Sequence, residues 1–132
     1  MMGLKFYHDS GATNPIAVGD EDYHRGAVVS GNDLVSEKVI YIGSDETLLT
    51  YENVSVTSIN DEDGASVNGD INVQYAVDSG GVAGTYQDTL PLSDGDFATA
   101  VPIWRKVIAP NVSAPFKRID IEHNVSFDKY VK

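Results

Sequence analysis

The chain contains no cysteine. That excludes a disulfide framework and any thiolate metal site. It also lacks long apolar runs. No window approaches the roughly 18 consecutive apolar residues of a membrane-spanning helix. The opening MMGLKFYHDSG carries one lysine and then polar residues, without the apolar core of a secretory signal. The expectation is a chain soluble as made, with no membrane partner. Helical periodicity is missing too: no stretch of 11 or more residues repeats its apolar positions at a helical spacing. Basic residues are scarce, 9 Lys and Arg against 20 Asp and Glu, for a net charge of −11. Duplex nucleic acid would be repelled by most of such a surface, so nucleic acid is excluded as a partner.

Catalytic signatures are absent as well. No Gly-x-Ser-x-Gly turn exists to anchor a nucleophilic triad. The glycines at Gly80, Gly81 and Gly84 lack the lysine and following helix of a phosphate-cradling loop. Glycoside hydrolysis needs two carboxylates held roughly 5–9.5 Å apart in a cleft, and the pattern singles out no pair. The three histidines, His8, His24 and His123, are far apart, with no second ligand at metal-binding spacing within one element. The expected activity class is non-enzymatic.

What the chain does have is strand texture. From Lys117 to Phe127, Ile119, Ile121, His123, Val125 and Phe127 alternate with polar residues, which predicts a long strand buried on one face. His123, on the apolar side, reads as a packed core histidine. Val101–Ala109 also reads as a strand, and Pro110 and Pro115 bracket the link between the two, so they are expected to form a hairpin. Asp128–Lys132 then reads as a tail. Val39–Ile42 is a continuous apolar run ending at Gly43. Val54 and Val56 alternate with Ser55 and Thr57, and Ile71, Val73, Tyr75 and Val77 with Asn72, Gln74 and Ala76. Further short strands are expected at Pro15–Val18, Ala27–Ser30 and Tyr86–Leu92. About seven strands separated by turn residues predict an all-β, antiparallel β-sandwich of immunoglobulin-like type, with a barrel as the alternative. The length suits one domain, with residues 1–36 as an N-terminal arm or edge strands packed on a sandwich body of residues 37–132.

The acid is mostly aspartate, 14 Asp to 6 Glu, and much of it neighbours Gly, Ser or Asn, which is turn chemistry. Three loops have the makings of a calcium site: 20–22, 61–64 and 94–96. Calcium takes six to eight oxygens, and the best-placed set is Asp61 and Asp63 with Asp70. The plainer reading of all three is solvated turns. No cofactor other than calcium is suggested. Three Asn-Val-Ser sequons, at Asn53, Asn111 and Asn124, read as chance matches where no export signal is seen.

Charge is unevenly spread. The first hundred residues hold 3 basic and 17 acidic residues (−14), whereas residues from Val101 onward hold 6 basic and 3 acidic (+3). Such a split suits docking against a basic partner or against copies of the same chain. Trp104 is the only tryptophan; with Arg105 and Lys106 it has the makings of an exposed sugar- or protein-binding anchor, but the favoured reading is the core Trp of a small β-domain. Its neighbours Arg105 and Lys106 are then candidates for the interface. Leu4, Phe6, Tyr7 and Ile16 of the N-terminal segment are the other candidates.

Several stretches together resemble small virion proteins of tailed bacteriophages. They are Val39-Ile-Tyr-Ile-Gly with Ser44-Asp-Glu, Asn53-Val-Ser-Val-Thr, Ser93-Asp-Gly-Asp-Phe, Pro102-Ile-Trp-Arg-Lys-Val-Ile-Ala-Pro110, and Phe116-Lys-Arg-Ile-Asp-Ile121. The similarity is to immunoglobulin-like modules of capsid decoration, tail and baseplate proteins, and it spans roughly residues 37–127. It implies a structural protein of the virion, made in the host cytoplasm without a signal peptide, with major capsid or tail proteins as partners. Two rival readings are an extracellular carbohydrate- or calcium-binding β-module and a small β-fold hydrolase using paired acids.

Overall fold

The computed structural model describes residues 3–16, 34–60, 72–109 and 121–132. Seven strands are present there: β1 (Leu4–Tyr7), β2 (Leu34–Ser44), β3 (Leu49–Asn60), β4 (Asn72–Val77), β5 (Leu90–Leu92), β6 (Val101–Ala109) and β7 (Ile121–Val131). They form two antiparallel sheets, a four-stranded one ordered β1-β2-β6-β4 and a three-stranded one ordered β5-β3-β7. The all-β sandwich is as the strand texture predicts. The four-plus-three split is that of an immunoglobulin constant-type sandwich, but the order is not: β2 pairs with β6 rather than with the fifth strand, and β3 lies between β5 and β7.

One apolar core joins the sheets. Ile40 and Ile42 of β2, Val73 and Tyr75 of β4, and Ile103 and Val107 of β6 cluster with Tyr51, Val54 and Val56 of β3, Leu90 of β5, Leu4 of β1 and Phe97. Period-2 alternation explains most of these placements: in β2, Ile40 and Ile42 are fully buried while Val39 and Tyr41 are only half-buried.

β3 needs a further device. Tyr51, Val54 and Val56 all face inward, yet Tyr51 and Val54 are out of phase for a regular strand. A bulge between Glu52 and Ser55 supplies the correction. Asn53 sits at that bulge with φ 53°, a left-handed conformation that asparagine accepts more readily than most residues. Its side-chain amide donates to Asp128 at 2.9 Å, and its backbone N–H to Asp94 at 3.2 Å. Tyr51 is thereby turned fully into the core. Its ring meets Phe127 and Phe97 edge-on at 5.1 and 6.0 Å, and its hydroxyl bonds Ser44 Oγ at 2.7 Å, tying one sheet to the other.

Two expectations are corrected. β6 and β7 do not form a hairpin: they lie in different sheets, because both edges of β6 are taken by β2 and β4. Nor is Asp128–Lys132 a tail. β7 runs to Val131 in register with Leu49, and Lys132 N–H donates to Leu48 O. Pro15 makes a single bridge to Tyr7, and Gln87 one to Tyr75. The strand expected at Ala27–Ser30 lies outside the described residues.

Candidate functional site

The two faces of β6 carry the chemistry. Val101, Ile103, Arg105 and Val107 share one face, and Pro102, Trp104, Lys106 and Ile108 the other. Both faces are partly apolar, so composition alone leaves the parity open. The aliphatic face is the one inside: Ile103 and Val107 are fully buried. This places Arg105 in the interior, 1% exposed, and turns Trp104 outward. The expectation that Trp104 fills the core while Arg105 meets a partner is thus reversed. A Trp fits outside because its cross-strand partner on β4 is the small Ala76, and its Nε1–H finds an acceptor in Asp78 Oδ1 at 2.9 Å.

The inner side at this level is a polar layer. Cross-strand pairing sets Lys38, Arg105 and Tyr75 in one row. Arg105 Nη1 donates to Ser36 Oγ at 3.5 Å, and Tyr75 OH bonds His123 Nδ1 of the opposing sheet at 2.6 Å. His123 also packs against the rings of Tyr75 and Phe6, each at 5.5 Å. Lys38 Nζ lies 3.5 Å from His8 Nδ1. All five of Arg105, Tyr75, His123, Lys38 and His8 have further interactions beyond these. A Tyr–His pair beside an arginine has the elements of acid–base chemistry. Here Tyr75 and Arg105 are closed off from solvent, so the layer reads as a structural network that fastens the sheets.

The outer face is different in kind. Trp104 is flanked by Val39 across β2 and Ala76 across β4, with Tyr41 opposite Pro102 one step away. Lys106 Nζ stands 4.9 Å above the Tyr86 ring. Tyr86 OH donates to Glu37 Oε2 at 2.6 Å; burial first, and then this carboxylate, push its phenol well above the ordinary range. Trp104, Tyr41, Tyr86 and Lys106 are all half-buried. Aromatic and basic groups fixed on a sheet face are the side chains that anchor protein interfaces.

Of the other interface candidates, Leu4 and Tyr7 are buried, and Phe6 and Ile16 pack against the core. These four side chains are therefore committed to their own domain. Lys5 and the Gly3 N–H hold Asp45: burial pushes that carboxyl up, but these two partners outweigh it and keep it below its usual range. The calcium candidates Asp61, Asp63 and Asp70 lie outside the described residues, as do the 20–22 loop and His24. The 94–96 loop is described. It borders a groove of about 650 Å³ lined by Val77, Pro91 to Thr99 and Val101. Its carboxylates are engaged in fixing the chain. Asp94 accepts from Asn53 N–H, and Asp96 from Ala98 N–H at 3.0 Å and Lys132 Nζ at 2.9 Å. Among the described residues, no group of three or more His, Asp or Glu is placed to hold a metal ion.

Compared with known proteins, the chain matches no family model, no curated protein and no solved structure.

Proposed function

We propose that this chain is a non-catalytic structural module that docks on a larger particle, of the capsid-decoration type in tailed bacteriophages. It binds and stabilises the particle surface through major capsid proteins. A place in the tail or baseplate is the alternative. The observation that carries the docking reading is the outward Trp104, grouped with Tyr41, Tyr86 and Lys106 on a braced sheet. A rigid aromatic group loses little conformational freedom on binding, so its contact area converts efficiently into affinity. The choice of a phage particle is supported by the strand texture of residues 37–127.

Mass spectrometry of purified particles from the source tests this. The expected result is the chain in fixed ratio to the major structural protein. A Trp104→Ala variant with an unchanged circular-dichroism spectrum should lose at least tenfold in occupancy. Particles without the chain would end the reading. A glycan-array signal lost in the same variant would instead favour the carbohydrate-binding module, since sugar rings also stack on exposed indoles. A melting temperature that rises with calcium would favour the calcium-binding form of that module.

A further inference from the structure

The sandwich is open at one corner. Val73 and Tyr75 of β4 are 4% and 0% exposed, yet Val77, next on the same inward-facing row, is 45% exposed. Val101 shares the inward face of Ile103 and is only half-buried. These two valines, with Leu92 and the 93–99 loop, line the groove of about 650 Å³. That volume falls within the ~300–1,000 Å³ of ligand sites. The loop is fastened to both sheets. Gly95 exchanges two backbone bonds with Tyr51 of β3, at 2.8 and 3.0 Å, and Ser44 N–H of β2 donates to Phe97 O at 3.1 Å. Walls fixed in advance lower the cost of binding. Asn60, Asn72, Ala109 and Ile121, where the chain passes to stretches outside the described residues, lie at the far ends of their strands from this corner. Ile16 lies beside β1, at the opposite edge of the four-stranded sheet from β4.

The groove's chemistry is one-sided. Val77, Leu92, Val101 and Phe97 give it an apolar floor, and its charged lining residues are Asp94 and Asp96, with no base among them. Among the described residues, Asp94 accepts through Oδ1 alone, from the Asn53 N–H at 3.2 Å. Asp96 shows what the rim takes. An ammonium from outside the lining, Lys132 Nζ, stands 2.9 Å from its Oδ2. The two side chains are 43% and 45% exposed, so the pair is weak and open to exchange.

We infer that this corner groove binds a basic segment of another protein, whose lysine or arginine stems lie on Val77, Leu92 and Val101 and whose cationic ends reach Asp94 and Asp96. Long basic side chains suit such a site, because their methylene stems pack on apolar surface while the charged head stays at a polar rim. The net charge of −11 draws a basic segment in. Trp104, Tyr41 and Tyr86 are not part of the lining, so this is a second surface, separate from the outer face of β6.

The probe is a capped, labelled peptide alternating lysine with leucine, followed by fluorescence anisotropy at fixed salt. Its glutamate-for-lysine counterpart and spermidine, added as competitors, are the comparisons. The lysine peptide should bind at least tenfold more tightly than either. Gly95→Phe keeps the charge and fills the groove, since a Cβ added at Gly95 meets no heavy atom within 4 Å. It should lose at least tenfold in affinity with the circular-dichroism spectrum unchanged. Asp94→Asn should lose at least fivefold, whereas Glu52→Gln, the same charge change at an exposed position outside the groove, should lose less than twofold. Lys132→Ala vacates Asp96 and should tighten binding at least threefold, and Lys129→Ala should not. Equal losses at positions 94 and 52 would reduce the attraction to net charge and overturn the site. Binding that survives Gly95→Phe, or spermidine binding as tightly as the peptide, would overturn it too. Trp104→Ala should bind the peptide like the unmodified chain, so the particle-docking reading and this groove succeed or fail separately.

Discussion

Trp104 and Arg105 are neighbours in the chain and opposites in the fold. The larger, more apolar side chain faces out, and the permanently charged one faces in. A strand's parity is set by its whole row of neighbours. Ile103 and Val107 pack with Ile40, Val73 and Tyr75 and take Arg105 in with them. A buried arginine is tolerable only with partners: Arg105 donates to Ser36 Oγ, with Lys38 and Tyr75 beside it in register and Tyr75 in turn bonded to His123 of the opposing sheet. The same strand therefore has a side where polarity locks the structure and a side where aromatic area is available for contact.

Substitutions on the two sides should separate sharply. Arg105→Glu reverses a charge in the core and should cost about 3–5 kcal/mol, the range for disrupting a buried charge network. Chemical denaturation would show a domain unfolded or close to it. Trp104→Ala removes a half-buried ring and one hydrogen bond to Asp78, and should cost about 1–2 kcal/mol. Lys106→Ala gives up a cation–ring contact and a cross-strand pairing with Glu37, and should cost about 0.5–1 kcal/mol. If Lys106→Ala proved as damaging as Arg105→Glu, the assignment of faces would be wrong.

The smallest effect is expected at the covered edge of β1. Asp9 accepts from Thr13 Oγ1 at 2.6 Å and from the N–H groups of Thr13 and Asn14, which folds residues 14–16 back along the strand. The Thr13 hydroxyl, followed by the Asn14 N–H, holds its carboxyl below the ordinary value. A lowered folded-state pKa means the stabilisation is present above the unfolded value, about 3.9, and is lost as pH falls through the folded one. Asp9→Ala at neutral pH, or the natural chain in acid, should speed amide exchange at His8 and Ile16 while hardly moving the exchange of β3. Equal acceleration in both places would mean that this edge is not a separate local unit.

Much of the fold was legible where alternation is clean. Val54, Val56, Val73 and Tyr75 fall inward as their spacing predicts. Ala76 shows the limit: it alternates with them and is also fully buried, because its small side chain lies across from Trp104. The inward turn of Tyr51 was illegible because one extra residue at Asn53 changes the phase, and no local pattern announces a bulge. Phe97 was missed for a similar reason: it reaches the core from a loop, with φ 54°. The supposed β6–β7 hairpin failed because adjacency in sequence says nothing about which edges are already occupied. As for the site, Trp104 and Arg105 were placed on the wrong sides, Lys106 was named for the outer face, and Tyr41 and Tyr86 were not named at all. Nothing in Trp-Arg-Lys tells which member is inside until the partners on β2 and β4 are known.

The most direct test of this division is fluorescence of the chain's single tryptophan. With Trp104 on the outer face, its emission in the folded protein should be intermediate in wavelength and quenched by acrylamide well above the level of a buried indole, with circular dichroism unchanged. A blue-shifted emission that acrylamide leaves untouched would place the ring in the core, return Arg105 to the surface, and contradict the account.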